Sequence, residues 1–173
     1  RGPDGSGIKI FDEGDWLVGL AHTRLSIIDI EGGAQPLSSS DNYSWVTFNG
    51  EIYNYRELRS ELSGLGHQFR SHSDTEVILA AYQQWGQDCV SRFNGMWAFA
   101  LWDGRRNRLF CSRDRFGVKP FHYRWDGERL VFASELKAFR ADPSGPLQPS
   151  LGAVRDYLEQ GYTDHTDETM FAG

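Results

Sequence analysis

The stretch Phe48-Asn49-Gly50-Glu51-Ile52-Tyr53-Asn54-Tyr55 decides the fold, because one kind of element gives way to another inside it. Upstream, Trp45-Val46-Thr47-Phe48-Asn49 is β-branched and aromatic, the composition of a strand, and a polar turn from Ser38 to Asn42 precedes it. Downstream, Asn54 with Glu57 three residues on has the form of a capping box. Leu58, Leu62 and Leu65 then follow at helical spacing until Gly64 and Gly66 stop the run. The cap pattern recurs at Ser73 and Glu76, where Val77, Ile78, Ala81, Tyr82 and Trp85 give a helix an apolar face that closes at Gly86.

Further along, Met96 to Trp102 and Arg108 to Ser112 flank Asp103-Gly104, and Phe121 to Trp125 and Leu130 to Ala133 flank Asp126-Gly127. Asp-Gly between such runs predicts two hairpins. Near the start, Arg1 to Gly7 reads as a loop and Trp16 to His22 as a buried strand. Near the end, Pro143 to Pro149 reads as a linker, and Ser150 heads a helix over Leu151 to Gln160 that Gly161 stops. Strands, then two helices, then antiparallel hairpins predict an α+β fold, with helices covering an antiparallel sheet.

A chain of 173 residues fits one domain, and its 14% aromatic share favours a β-rich core. The net charge of −6 argues against a nucleic-acid partner. The basic pairs Arg105-Arg106 and Arg113 with Arg115 are too few to line a groove. No apolar run is long enough to span a membrane, and no basic-then-apolar leader is present. Two cysteines, Cys89 and Cys111, do not make a disulfide scaffold, so a cytoplasmic protein is expected. The chain starts without Met and ends on Thr169-Met170-Phe171-Ala172-Gly173, so a piece of a longer protein is expected.

Asn49 and Gly50, at the end of a strand, offer a side-chain amide and a backbone N–H to a developing oxyanion, as acyl transfer from an amide requires. The plainer reading is a turn between strand and helix. Arg24 after a strand is either a carboxylate fork or a surface cation. Asp74 is either a ligand or a first-turn acid that complements the helix dipole. Cys89 and Cys111 read as buried small hydrophobes. The five histidines, His22, His67, His72, His122 and His165, lack metal-ligand spacing, and no metal site is expected. Arg113, Asp114 and Lys119 read as a structural charge pair and turn.

Taken together, the motifs resemble the class II glutamine amidotransferase domain of glutamine-hydrolysing asparagine synthetases. The resemblance rests on Ala21-His22-Thr23-Arg24-Leu25-Ser26-Ile27, Gly32-Gly33-Ala34-Gln35-Pro36-Leu37, Asn49 to Tyr55, Ser73-Asp74-Thr75-Glu76-Val77, Phe93 to Ala100 and Arg113 to Pro120. Arg1-Gly2-Pro3-Asp4 and Ser134-Glu135-Leu136-Lys137-Ala138 extend it to nearly the whole chain. Gly5 and His122 depart from the family's usual residues at their positions. The fold implied is the N-terminal-nucleophile hydrolase αββα sandwich, two antiparallel sheets between helical layers.

The activity implied is hydrolysis of glutamine to glutamate and ammonia, for ATP-dependent amidation of aspartate. Arg24 would hold the α-carboxylate of glutamine, Asp74 and Glu51 the α-ammonium, and Leu25 and Ile27 would offer carbonyls near the side-chain amide. Asn49 and Gly50 would form the oxyanion hole. The family's nucleophile is an N-terminal cysteine with its own amine as base, and this chain begins with Arg1. Residues 1–173 are therefore expected to be a partial domain without the nucleophile segment and without the C-terminal synthetase domain. That second domain would bind ATP and magnesium; this one needs no cofactor. The partners implied are glutamine, the synthetase domain and, in some assemblies, a second copy as a homodimer. An amidotransferase acting on a sugar or peptide, and a catalytically dead glutamine-binding module, are the alternatives.

Overall fold

The computed structural model describes residues 2, 4–24, 33–142, 147–162 and 169–172. The chain divides into two compact units, residues 1–119 and 120–173.

In the first unit, β1 (Gly5–Asp12) pairs antiparallel with β2 (Leu17–Arg24). A separate four-stranded antiparallel sheet follows, with β3 (Leu37–Ser38), β4 (Ser44–Ile52), β5 (Gly95–Asp103) and β6 (Arg108–Arg113) side by side in that order. The register pairs Val46 with Leu101 and Phe48 with Phe99, so these four share one face. That face is buried under α1 (Tyr55–Gly64) and α2 (Asp74–Trp85) in a continuous core with Leu58, Leu62, Val77, Ile78 and Tyr82. The opposite face carries Trp45, Thr47, Asn49 and Glu51, and the β1–β2 hairpin lies against it. Phe11 of β1 meets Trp45 edge-on at 5.8 Å between ring centroids, and Lys9 lies over the Trp45 ring at 4.7 Å. The order helix, sheet, second sheet follows from this two-sided burial of the central sheet.

Several local expectations need correction. Gly5 to Gly7 belong to β1 rather than to a loop, because pairing with β2 outweighs their weak strand preference. A side chain at Gly7 would meet Pro36 Cδ at 3.2 Å as well as the Gln35 carbonyl, so that strand position admits only glycine without displacement. β2 is buried on one face only: Leu20 is fully buried, whereas Leu17 and Trp16 are exposed. Asn54 does not cap α1 with its side chain. Its Nδ2 donates to Arg92 O at 2.9 Å and its Oδ1 accepts from Asn94 N at 2.9 Å, tying the helix start to the segment that leads into β5 instead.

Leu65 lies on the exposed side beyond α1. Ser73 does cap α2, accepting from Thr75 N at 3.1 Å. Glu76 does not complete a capping box, since its carboxylate accepts from Arg70 N and from Ser71 N and Oγ. From Asp74 to Tyr82 every residue of α2 is buried, so the helix is covered all round rather than along a single stripe.

The first hairpin loop spans four residues, 104–107, with Asn107 left-handed at φ 48°, rather than a two-residue Asp-Gly turn. Asp103 organises it by accepting from Arg105 N at 3.1 Å and from Arg106 Nη1 at 2.7 Å.

In the second unit, β7 (His122–Trp125) and β8 (Leu130–Ala133) form the other hairpin. Phe121 and Phe132 stack at 5.5 Å. β9 (Gln148–Pro149) pairs with β10 (Phe171–Ala172), so the end of the expected linker is a strand. α3 (Leu151–Gln160) is capped by Ser150, whose Oγ accepts from Ala153 N, and ends at a left-handed Gly161. Arg129 and Arg124 both reach the buried Asp142, at 3.1 and 3.7 Å. Among the described residues, no helix is long and apolar enough to cross a membrane.

Candidate active site

Strand alternation places Thr47, Asn49 and Glu51 in one row on the face of β4 that the hairpin covers, with about 7 Å between successive members. Ala100 and Ala98 stand opposite Thr47 and Asn49 on β5, so the neighbouring strand fills little of the space above that row. On β2 the inward residues are Val18, Leu20, His22 and Arg24. Arg24 is thus a half-buried cation on the strand's inner face, not a surface arginine.

The two strands meet at Thr47. Its hydroxyl is 3.1 Å from Ala21 O and 3.3 Å from His22 Nδ1. Burial, and then the charge of Arg24, push the His22 imidazole below its usual range, which places Arg24 electrostatically beside His22.

At the other end of the row sits Asp74, 5% exposed at the start of α2. Its Oδ2 accepts from Ile52 N at 3.0 Å, which pins the helix N-terminus to the end of β4. Burial raises the Asp74 carboxyl above the usual carboxylate range, and the nearby Glu51 carboxylate adds to the rise; N–H groups of Ile52 and Thr75 oppose it. Two acids therefore share the end of the row next to Asn49 and Gly50. β2 runs along β4 in the same sense, Phe11 opposite Val18 meeting Trp45 and Ala21 meeting Thr47, so that Arg24 is carried past His22 toward that same end.

Gly50 has φ 154°, and an added side chain would meet Trp97 Cα at 2.8 Å and Phe48 Cε2 at 2.9 Å as well as the Met96 carbonyl. The backbone N–H at this position can be offered only by a glycine. Leu25, Ile27 and Arg1 lie outside the described residues.

Gln35 belongs to this assembly although only its motif, not its role, is legible in the sequence. Its Oε1 accepts from Phe48 N at 2.6 Å and its Nε2 reaches Thr75 Oγ1 at 3.5 Å, so one side chain joins the Asn49 strand to the Asp74 helix. Thr47 and His22 likewise carry no role that the sequence marks. The signal for Thr47 was its i−2 position to Asn49 on a strand, which places both on one face.

The remaining sequence candidates are structural. Cys89 is buried and its thiol is pushed up to about 12 by burial; Cys111 is pushed up to about 11 for the same reason. A thiol so protonated is a poor nucleophile. Asp114 accepts backbone N–H groups from Trp97, Phe116, Val118 and Lys119. Although burial raises its carboxyl, those bonds hold it below its usual range. Arg113 donates to Lys119 O at 2.7 Å and to Gly117 O. Backbone hydrogen bonds thus shape this turn, where a charge pair was expected. His67 bonds Gln84 at 2.9 Å, and no group of three metal-ligand side chains occurs among the described residues. A cleft of about 290 Å³, lined by Tyr82, Gly86, Asp88, Arg106 and Arg108 among others, contains none of the row's residues.

Residues 1–173 match the family described as "Glutamine amidotransferase domain". Asparagine synthetase [glutamine-hydrolyzing] 3 of Bacillus subtilis is 49% identical over 146 residues, covering 83% of this chain and 23% of that protein. Asparagine synthetase B [glutamine-hydrolyzing] of Escherichia coli is 39% identical over 174 residues, covering 95% of this chain and 30% of that protein. The chain thus spans less than a third of the length of these curated relatives. Among solved structures, glutamine phosphoribosylpyrophosphate amidotransferase from B. subtilis, complexed with ADP and GMP, superposes with a TM-score of 0.64 at 23% identity, over 80% of this chain and 37% of that one.

Proposed function

Because the chain belongs to the glutamine amidotransferase domain family, with the α+β fold of the N-terminal-nucleophile amidotransferases, we propose that it is the glutamine-hydrolysing domain of a glutamine-dependent asparagine synthetase. The observation that carries the reading is that Asn49 and Gly50 stand next to the Glu51–Asp74 pair at the end of β4, with Arg24 on the inward face of the β2 strand that covers it. Glutamine carries its carboxylate and its ammonium on one carbon, so it needs a cation and an anion close together and, for amide hydrolysis, an oxyanion donor where the side-chain carbonyl reaches.

In this reading the Arg24 guanidinium grips the α-carboxylate bidentately. The carboxylates of Glu51 and Asp74 accept from the α-ammonium, and binding that cation relieves the repulsion between them. The side-chain carbonyl oxygen of glutamine points at the Asn49 amide and the Gly50 N–H. A thiolate attacks the carbonyl carbon, a C–S bond forms and negative charge gathers on oxygen, where the two donors meet it. The intermediate collapses, the C–N bond breaks, and nitrogen leaves as ammonia after gaining a proton. Water then hydrolyses the thioester to glutamate. The thiolate of this reading is the family's N-terminal cysteine, with its own α-amine as base; Cys89 and Cys111 are too deeply protonated to replace it.

Ammonia would pass to a synthetase domain of the same polypeptide, which would bind ATP and magnesium and amidate aspartate; no residue of this chain is assigned to them. The compartment is the cytoplasm, where cysteines such as Cys89 and Cys111 stay free.

The test uses the full-length protein, with asparagine formation driven either by glutamine or by ammonia. Arg24→Ala raises KM for glutamine and leaves the ammonia-driven reaction intact. An unchanged glutamine KM contradicts the reading.

A further inference from the structure

Two strands carry the site: β2 brings Arg24 and β4 brings Asn49. One contact that registers one against the other is polar. The Thr47 hydroxyl, buried at 8% exposure, lies 3.1 Å from Ala21 O and 3.3 Å from His22 Nδ1. A carbonyl oxygen has no hydrogen, so the first contact is a hydrogen bond only if Thr47 donates. A hydroxyl has one hydrogen to give. Toward His22 it must therefore accept, and the hydrogen in that bond belongs to Nδ1. The imidazole that satisfies both contacts carries its proton on Nδ1 and leaves Nε2 as a lone pair.

Charge points the same way. Arg24 follows His22 by two residues on the same inward face of β2, about 7 Å along the strand. A second cation beside that guanidinium would repel it, and burial and then the Arg24 charge shift the ring toward its neutral form. A neutral ring has one N–H, and the Thr47 contact claims it.

We infer that His22 is a positioning residue for the carboxylate-binding end of the site: as the Nδ1–H tautomer it clamps β2 to β4 through Thr47 and so fixes where Arg24 stands relative to Asn49. The inference rests on the reading of Arg24 given above. His22 touches neither glutamine nor the reacting carbon in it. Loss of the clamp therefore loosens the hold on the α-carboxylate and leaves the oxyanion donors in place, a KM effect without a kcat effect.

The experiment is glutaminase kinetics on the full-length protein carrying His22→Ala, His22→Asn or His22→Gln, with Arg24→Ala in parallel. The side-chain amide nitrogen of Asn occupies the place of Nδ1, whereas that of Gln falls where Nε2 stands. The expected result for His22→Ala is a KM for glutamine raised by about 3- to 10-fold, the range for one net intramolecular hydrogen bond, at unchanged kcat. His22→Asn restores the wild-type KM and His22→Gln does not. A wild-type KM in His22→Ala, or rescue by Gln and not Asn, overturns the inference.

If Arg24→Ala leaves the glutamine KM unchanged, the glutamine-site reading itself falls. If Arg24→Ala raises it and His22→Ala does not, only the role of His22 falls. Should His22→Ala fail to fold, imidazole ¹⁵N spectra of the wild-type protein decide, with the His22 signals identified by their loss in His22→Asn. A proton on Nδ1 supports the inference and a proton on Nε2 overturns it.

Discussion

Gly50→Ala tests how tightly the oxyanion corner is built. The added Cβ would stand 2.8 Å from Trp97 Cα and 2.9 Å from Phe48 Cε2, in addition to overlapping the Met96 carbonyl. Two of these three neighbours are backbone atoms of β5, which pairs with β4 on one side and β6 on the other. Neither can retreat without separating strands. Overpacking of this kind costs about 1–3 kcal/mol. Holding an L side chain at φ 154° costs about 1–3 kcal/mol more, and one weakened ladder bond about 1 kcal/mol. The expected loss is about 3–7 kcal/mol, a large part of a domain stability of about 5–15 kcal/mol.

Gly64→Ala is the control, at the end of α1 with nothing within 4 Å of the new Cβ; it should gain up to about 1 kcal/mol. Urea unfolding followed by tryptophan fluorescence measures both. A Gly50→Ala variant within about 0.5 kcal/mol of wild type, or indistinguishable from Gly64→Ala, would refute the close strand approach.

Three further expectations follow from the site. Asp74 has a folded-state pKa raised above its unfolded value, so its contribution to stability is fully present below the unfolded pKa of about 3.9 and is lost as pH rises through the folded one. Asp74→Asn, which can still accept from Ile52 N, should therefore raise Tm at neutral pH by an amount that shrinks toward acid, while glutamine KM rises; a lower Tm at neutral pH contradicts the sign. Asn49→Ala should reduce glutaminase kcat by roughly 10²–10³-fold with ammonia-driven synthesis unaffected, and a loss confined to KM would make Asn49 a binding residue instead. Cys111→Ala should leave glutaminase activity unchanged, and thiol titration at pH 8 should find Cys89 and Cys111 unreactive until the protein is unfolded; fast modification of the native protein would contradict thiols pushed up to about 12 and about 11.

What was legible in the sequence was local. Ser73 and Ser150 head their helices because a hydroxyl satisfies an N–H one turn away, and both hairpins form where sequence-local turns allow them. What was not legible depends on partners far along the chain. Asn54 has the look of a helix cap, yet its amide serves Arg92 and Asn94, some 40 residues on, because the segment entering β5 passes there. Gly5 to Gly7 become a strand only once β2 is beside them. Of the site, Asn49, Gly50 and Glu51 are consecutive on β4, whereas Asp74 reaches the end of that strand across 22 residues and the whole of α1. Gln35, Thr47 and His22 act across 13, 26 and 25 residues, spacings that no periodicity marks.

In the proposed site Arg24 receives the α-carboxylate of glutamine and the Glu51–Asp74 pair receives its α-ammonium. The most direct measurement is a cycle of glutaminase kinetics on the full-length protein, wild type and Arg24→Ala, with glutamine and with 4-aminobutanamide, which lacks only the α-carboxylate. Wild type should prefer glutamine in kcat/KM by about 10- to 150-fold, the worth of a charge-assisted hydrogen bond, and Arg24→Ala should abolish most of that preference by losing activity on glutamine alone. If Arg24→Ala lowers kcat/KM equally for both amides, Arg24 does not read the α-carboxylate and the assignment of the site is wrong.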